Sequence, residues 1–416
     1  MKIWIISVGE PLPIDGKNTR LRRMGNLAEC ISENGHHVEW FSVSFDHYKK
    51  IQRCSKDSEI LIKDNYKMHI IRTNGYKKNI SISRIIQHKL SGRNIYKKMF
   101  KLEKPDIIIA SMEPLEVSYV VSKYGVENSV PVVIDVRDLW PEIYYEVIPP
   151  KMHFILEFYM KICRRTLRKT MSNAYSIVGL SKSFLEYGLK FANRKQENQD
   201  RVFPIAYPNY KYSTYKDTLN KYWVGYNFNE KDFLIVFFGN FGKQFDFENI
   251  IEASKLLLKN DKIKFVLCGT GVQLENIKKR TDKNVIFPGW IEKDQILSLA
   301  ANASVGIAPY INSINYTQNT PNKFGEYLSA SLPILVSVPG DMENLLIKNE
   351  CGYSYKSGED LAELIENYFN DKNKLNLHSQ NARKLYDKEF NGDIIYKKIL
   401  DYLIDIKKKY NEQGEK

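Results

Sequence analysis

Residues 304–338 read SVGIAPYINSINYTQNTPNKFGEYLSASLPILVSV. The apolar run 304–309 passes into a polar loop and then into a helical pattern opening at Thr320-Pro321. A second apolar run, 333–338, follows. Two short apolar runs joined through one helix predict neighbouring parallel strands, because a parallel pair needs a crossover connection. Thr320 reads as the N-cap and Pro321 as the first helical residue. Lys323 then falls in the first turn, where the positive end of the helix dipole disfavours a cation. Glu326 lies three residues on, on the same face. An anion at the helix start would account for the open N–H groups and for Lys323 together. A well-capped surface helix with a Lys–Glu pair would give the same letters, and this segment alone does not separate the two.

The alternation extends in both directions. Strand-like runs occupy 2–8, 37–43, 68–73, 106–111, 130–136 and 174–180, with helical pattern between most of them. A polar, turn-rich stretch over 193–232 interrupts the series. Strands then resume at 233–239, 264–269, 284–289, 304–309, 333–338 and 351–355, and the tail from 360 to 409 is helical. This pattern predicts an α/β protein of two Rossmann-like, doubly wound domains, 1–205 and 206–390. Ligands of such sheets sit beyond the carboxyl ends of the strands. Two of these domains facing across a cleft would place the site there, so candidate residues are those just after strands.

Composition narrows the class. The 416 residues are 43% hydrophobic, yet no apolar run approaches the length of a membrane span. The start, MKIWIISVGEP, reads as a first strand rather than a signal peptide. Five scattered cysteines without a CxxC fit reduced thiols, and a cytoplasmic location is expected. The net charge of +13 is lopsided: residues 1–200 hold 33 Lys and Arg against 22 Asp and Glu. Such a field attracts nucleic acid, an anionic membrane or a phosphorylated lipid. No nucleic-acid reader motif accompanies it, so no nucleic-acid partner is expected. The segment FILEFYMKICRRTLRK (154–169) mixes an apolar face with Lys161, Arg164, Arg165, Arg168 and Lys169. It reads either as a helix lying on an anionic leaflet or as an interdomain core helix with a solvated basic face.

Several turns after strands carry candidate chemistry. The loop GEPLPIDGKNTRLRR (9–23) holds Gly9, Gly16, Arg20, Arg22 and Arg23 and is neither GxGxxG nor a P-loop. Its glycines suit close approach of a phosphate or sugar to backbone. DVRDLWPE (135–142) places Asp135, Arg137 and Asp138 at a strand end, followed by Trp140. The acids could bind hydroxyls and the indole could stack on a sugar, or Arg137 and the acids could form an ion-pair network that pins a loop. Gly239, Asn240, Gly242 and Lys243 form a turn after the first strand of the second domain. Gly269 and Gly271 form another, and Trp290 offers a wall for a nucleobase.

Taken together, DVRDLWPE, the GNFG turn and NTPNKFGEYLSASLPIL resemble the GT-B glycosyltransferases, and within them glycosyltransferase family 4, in the bacterial O-antigen, capsule and exopolysaccharide branch. The resemblance runs through most of the chain and is strongest over 130–142 and 233–340. It implies a nucleotide-sugar donor, UDP- or GDP-linked, held by the second domain, with Gly239, Asn240, Gly242, Lys243, Gly269, Gly271, Trp290, Gln318, Asn319, Thr320, Lys323 and Glu326 on the donor side. It implies a glycan or polyprenyl-phosphate-linked acceptor held by the first domain, with Gly16, Arg20, Arg137 and Trp140 beside it. Transfer with retained configuration is implied, with Lys323, Glu326, Asp135 and Asp138 nearest the chemistry. So are the absence of a cofactor or metal and a final helix, 391–416, crossing back to the first domain. No Asp-x-Asp occurs, in keeping with a metal-independent class. An anionic membrane surface is a further expected partner, with a peripheral position on the inner face of the cell membrane.

The chain departs from the family pattern in three places. Where a Glu-x7-Glu is usual, Glu326 supplies the second acid, but the first position is Gln318. The places of the usual Arg and Lys after the first glycine of the second domain are Asn240 and Phe245, which leaves Lys243 and Lys323 as the cations for a diphosphate. Other readings of the same letters are an inverting transferase or a UDP-sugar epimerase of the same fold, or a two-lobed binding protein without catalysis.

Overall fold

The computed structural model describes residues 1–16, 19–226, 228–229 and 231–414. In chain order the strands are β1 (Lys2–Ile6), β2 (His37–Val43), β3 (Phe45–Asp46), β4 (Ile51–Gln52), β5 (Ser58–Lys63), β6 (Tyr66–Ile71), β7 (Ile107–Ser111), β8 (Val132–Val136), β9 (Ser176–Gly179), β10 (Arg201–Val202), β11 (Phe233–Phe238), β12 (Ile263–Cys268), β13 (Val285–Gly289), β14 (Val305–Ala308), β15 (Ile334–Val336) and β16 (Gly352–Ser354). By their contacts they divide into two units, Met1–Pro204 with Asp393–Lys416, and Ile205–Gly392.

In the first unit eight strands form one sheet in the order β10-β9-β8-β7-β1-β2-β6-β5. All its pairings are parallel except β5 with β6. The runs IIIAS and VVIDV are buried along their whole length, as strands covered by helices on both faces must be. β5 (SEILIK) alternates between exposed and half-buried residues because it is the antiparallel edge. That short alternation does not stand out in the sequence, and the reading above omits it. The helix beginning at Gly392 completes this unit from Asp393 onward. It buries Ile395, Tyr396, Ile399, Leu400, Tyr402, Leu403 and Ile406. Tyr402 OH and Ser176 Oγ lie 2.6 Å apart, and Asn26 Nδ2 donates to Tyr396 OH at 3.4 Å.

The second unit holds a six-stranded, all-parallel sheet ordered β13-β12-β11-β14-β15-β16. The chain steps outward from β11 through β12 to β13, then returns to the other side of β11 with β14. The reversal of strand order leaves a crevice at the carboxyl ends of β11 and β14. In the first unit the same reversal falls between β1 and β7. Among the described residues no helix is long and apolar enough to cross a membrane.

Candidate functional site

The crevice of the second unit is built by three turns bonded to one another. Beyond β11 and β14 the chain segments continue side by side, with Asp246 N donating to Pro309 O at 2.8 Å and Ile311 N to Gln244 O at 3.0 Å. The turn after β12 joins them: Phe241 N donates to Thr270 O at 2.8 Å, and Gln273 Nε2 donates to Gly242 O at 2.6 Å and Phe245 O at 3.1 Å. The close approach explains the glycines. Gly269 and Gly271 have φ of +132° and +155°, and a Cβ on Gly269 would lie inside the carbonyl oxygen of Gly239. These two glycines therefore serve turn-to-turn packing. Gly239 serves a side chain, since a Cβ there would collide with Lys323 Nζ.

Lys323 sits in the first turn of the helix Asn322–Ser329. Its Nζ lies 4.5 Å from the ring centre of Phe245 and 5.0 Å from that of Phe237. Phe245, standing where a Lys was expected, is a buried platform for this cation. The cap differs from the sequence expectation. Pro321, not Thr320, occupies the N-cap position, with no side-chain cap, while Phe324 N donates to Pro321 O at 2.8 Å. Proline fixes φ but has no side chain to accept from the first turn, so the helix start is open. Asn319 and Thr320 are buried against it, and Asn319 Oδ1 accepts from Thr320 N at 2.8 Å.

One turn further, Glu326 is only 4% exposed, and its Oε1 accepts from Tyr207 OH at 2.9 Å. Tyr310 and Tyr327 are raised well above an ordinary phenol, by burial first and then by neighbouring acidic groups, Tyr316 and Glu326 for Tyr310 and Glu326 for Tyr327. Gln318 is half-buried at the end of the short helix Ile314–Thr317. Asn240 and Lys243 are exposed, with Asn240 Oδ1 accepting from Gln244 at 2.7 Å. Trp290 is 73% exposed, its indole N–H donating to Glu292 at 3.3 Å.

In the first unit the strand-end acids separate into two roles. Asp135 is fully buried, and Arg23 Nε and Nη2 donate to its two oxygens at 2.9 and 3.1 Å. Arg137 donates to Glu10 Oε1 and Ser111 Oγ, and to Ser7 Oγ at 3.4 Å. Glu10 also accepts from Met24 N at 3.1 Å. Burial opposes the charge on Arg137, but Glu10, Asp135 and Glu113 hold it above its ordinary pKa. Asp135 and Arg137 thus tie together the loops after β1, β7 and β8, the pinning network that the sequence left open. Asp138 is exposed on one side and crowded by protein on the others. The crowding pushes its carboxyl up to about 6, with Arg137 pulling the other way. Glu113, after β7, is raised well above the carboxylate range by burial and then by Asp138, and its Oε1 is buried without a hydrogen-bond partner. Gly16 has φ +145°, a Cβ there would touch Thr19 Oγ1 at 3.7 Å, and Arg20 is exposed, while Lys17 and Asn18 of that loop lie outside the described residues. Trp140 packs edge-on against Tyr144 with centroids 4.7 Å apart, and the Arg84 guanidinium lies 5.3 Å from its ring centre.

The basic segment forms the helix His153–Asn173. Phe154 and Phe158 are 78% and 74% exposed, and Ile162, Lys161, Arg165, Arg168 and Lys169 share their side. Arg164 turns away to Glu142 at 3.0 Å and Glu157 at 2.9 Å. The one acid among the described residues of the helix, Glu157, has a side chain 42% exposed and is paired with Arg164.

Sequence reasoning missed Tyr207 and Glu113. Tyr207 lies in the irregular stretch after β10, where no periodicity singles out a residue. Glu113 directly follows a buried strand, and that position alone marked it.

Residues 223–385 match the family model of the glycosyl transferases group 1. No curated protein matches the chain in sequence. Solved structures align with it almost end to end at low identity. The sucrose-phosphate synthase of Thermosynechococcus elongatus aligns with TM-score 0.72 and 14% identity over 97% of this chain and 98% of its own. HepE of Anabaena, in complex with UDP and glucose, gives 0.64 and 13% over 97% and 100%. WaaG, a glycosyltransferase involved in lipopolysaccharide biosynthesis, gives 0.64 and 15% over 97% and 99%. The fold is that of the GT-B glycosyltransferases, and the chain is a glycosyltransferase.

Proposed function

We propose that this glycosyltransferase belongs to the family 4 type and transfers a sugar, with retained configuration, from a UDP- or GDP-sugar to a glycan or polyprenyl-phosphate-linked acceptor in bacterial surface-polysaccharide synthesis. The observation that carries the donor half is the Lys323 ammonium, held on two aromatic faces at an uncapped helix start beside Gly239. The open N–H groups and the ammonium favour a diphosphate, and most of all one gaining charge as a leaving group. Glu326, oriented by Tyr207, suits a ribose diol. Gln318 offers an amide to the sugar hydroxyls where related enzymes use a carboxylate. A UDP complex of HepE, a protein of the same fold, supports the uridine option.

On the acceptor side, Asp138 is the open carboxylate of its segment and would position the attacking hydroxyl. Asp135 and Arg137 set the loop that carries it. Retention without a covalent intermediate asks for no side-chain nucleophile; the hydroxyl attacks from the face that the diphosphate leaves. The exposed aromatic and cationic side of the helix His153–Asn173 suits an anionic leaflet on the cytoplasmic side, where a lipid-linked acceptor is displayed. Thermal-shift titration with UDP-, GDP- and CMP-sugars tests the donor half: stabilisation by one nucleotide class is expected, and stabilisation by none overturns it. NMR of the product's anomeric proton separates retention from inversion.

A further inference from the structure

Around the loops after β1, β2, β6 and β8 the first unit gathers cations of which only Arg22 stands in a loop singled out from the sequence. The turn between β3 and β4 carries His47, Tyr48 and Lys50, Tyr76 follows β6, and Arg84 opens the helix Ile82–Met99. Arg22, just before the helix Arg23–Glu33, donates to Tyr48 OH at 2.6 Å and lies 4.7 Å from its ring centre. Lys50 and Arg84 share the Tyr76 ring at 4.5 and 5.7 Å, and Arg84 also reaches Trp140. His47 Nδ1 and Tyr76 OH lie 2.5 Å apart.

The partners of these cations are neutral. Lys50 donates to Asn79 Oδ1 at 2.5 Å, and Arg84 donates to Asn79 O at 2.9 Å and His88 Nε2 at 3.4 Å. Among the described residues, none of Arg22, Lys50 and Arg84 forms an ion pair. Asp46, next to His47 in the chain, accepts from the N–H groups of Tyr48 and Lys49 and pairs with Arg53, which also holds Asp15. The excess positive charge is felt locally. His47 is driven down to about 4 by burial and then by Lys50 and Arg84, and Lys50 is lowered by burial and by Arg84, with Asp46 pulling both the other way.

Three like charges set on adjoining ring faces repel one another, Asp46 and Glu116 offset this only from beyond ion-pair distance, and a bound anion relieves the repulsion. All of them stand at the carboxyl edge of the sheet, where ligands of such sheets bind. We propose that this array, Arg22, Lys50 and Arg84 on Tyr48, Tyr76 and Trp140, binds a phosphoryl or diphosphoryl group of the acceptor. The inference rests on the reading of this unit as the acceptor unit. A phosphate's several oxygens and double charge match converging cations, and the ring faces suit a sugar or prenyl group beside it.

Calorimetric titration of inorganic pyrophosphate into the full chain, saturated with UDP so that a donor diphosphate site is filled, tests the proposal. Binding is expected for the unaltered protein, about tenfold or more weaker for Lys50→Gln with Arg84→Gln, and about three- to tenfold weaker for the exposed Arg22→Gln. UDP affinity should be unchanged in each, and retention of both unfolding transitions in calorimetry shows that both units of the variants fold. Geranyl diphosphate and glucose 6-phosphate as further titrants separate a lipid-borne from a sugar-borne phosphate. Equal pyrophosphate affinity in all variants, or no binding of any of the three probes, overturns the proposal. Failure of UDP to bind strikes the donor reading instead, and the comparison of variants still reports on the array.

Discussion

Lys323 is a cation set over two aromatic faces at a helix start, where the dipole disfavours a cation and a bound anion would offset that cost. Lys323→Ala should lower kcat about ten- to a thousandfold with the melting temperature nearly unchanged; unaltered turnover would remove it from leaving-group stabilisation. Glu113 makes a prediction with a definite sign. Its folded pKa is raised by burial and by Asp138, so the native state keeps a proton that the unfolded chain releases near the ordinary carboxyl value. That stability is fully present below the unfolded pKa and is lost as pH rises through the folded values, about 6 for Asp138 and higher than normal for Glu113. Glu113→Gln stays neutral throughout, so its melting temperature relative to the parent should rise between pH 5 and pH 8, by about 2–4 °C for each kcal/mol involved. A flat difference would show that Glu113 is ionised at no cost. Lys323 and Glu326 were legible because a βα turn at a sheet's carboxyl edge has a local signature. Asp135 was not: a strand-end carboxylate reads alike whether it faces a ligand or Arg23, which lies 112 positions away in the chain.

The helix His153–Asn173 is the element whose sequence left two readings open. Its spacing alone gave an apolar face and five cations but not which face packs. The structure turns Leu156, Met160 and Leu167 inward, leaves Phe154 and Phe158 out, and takes Arg164 out of the exposed set through Glu142 and Glu157. Exposed phenylalanines beside four cations, with the one acid of the helix, Glu157, paired to Arg164, favour an anionic, partly apolar surface. Phe154→Ser with Phe158→Ser should reduce flotation with phosphatidylglycerol vesicles several-fold while leaving nucleotide binding unchanged. Equal flotation of both proteins, or equal flotation with and without anionic lipid, would count against a membrane role. The glycine turns show the reverse limit. They were read as ligand-facing, yet Gly269 and Gly271 are set by the carbonyl of Gly239 and the backbone of Phe241, contacts between turns that no local pattern encodes.

At the scale of the molecule, strand–helix alternation was enough to read two doubly wound sheets, because every buried parallel strand shows as a short apolar run. Which sheet the last helix serves is a matter of non-local packing. From Asp393 onward its described residues bury seven apolar or aromatic side chains within the first unit, each worth about 1.5–3 kcal/mol when fully covered. Their sum rivals the whole stability of an ordinary domain. A chain ending at Gly392 should therefore lose one cooperative unfolding transition in calorimetry and keep the other; two intact transitions would show the helix to be dispensable.

That discontinuity inverts the order of maturation. Synthesis proceeds from the N-terminus, and domains generally fold as they emerge. Here the unit begun first is finished last, since its closing helix leaves the ribosome after all of Ile205–Gly392. The apolar groove for Ile399, Leu400 and Leu403 must stay covered by some other means until that helix emerges. A frameshift or nonsense codon beyond the segment Ile205–Gly392 would then disable the unit whose sheet is encoded before it.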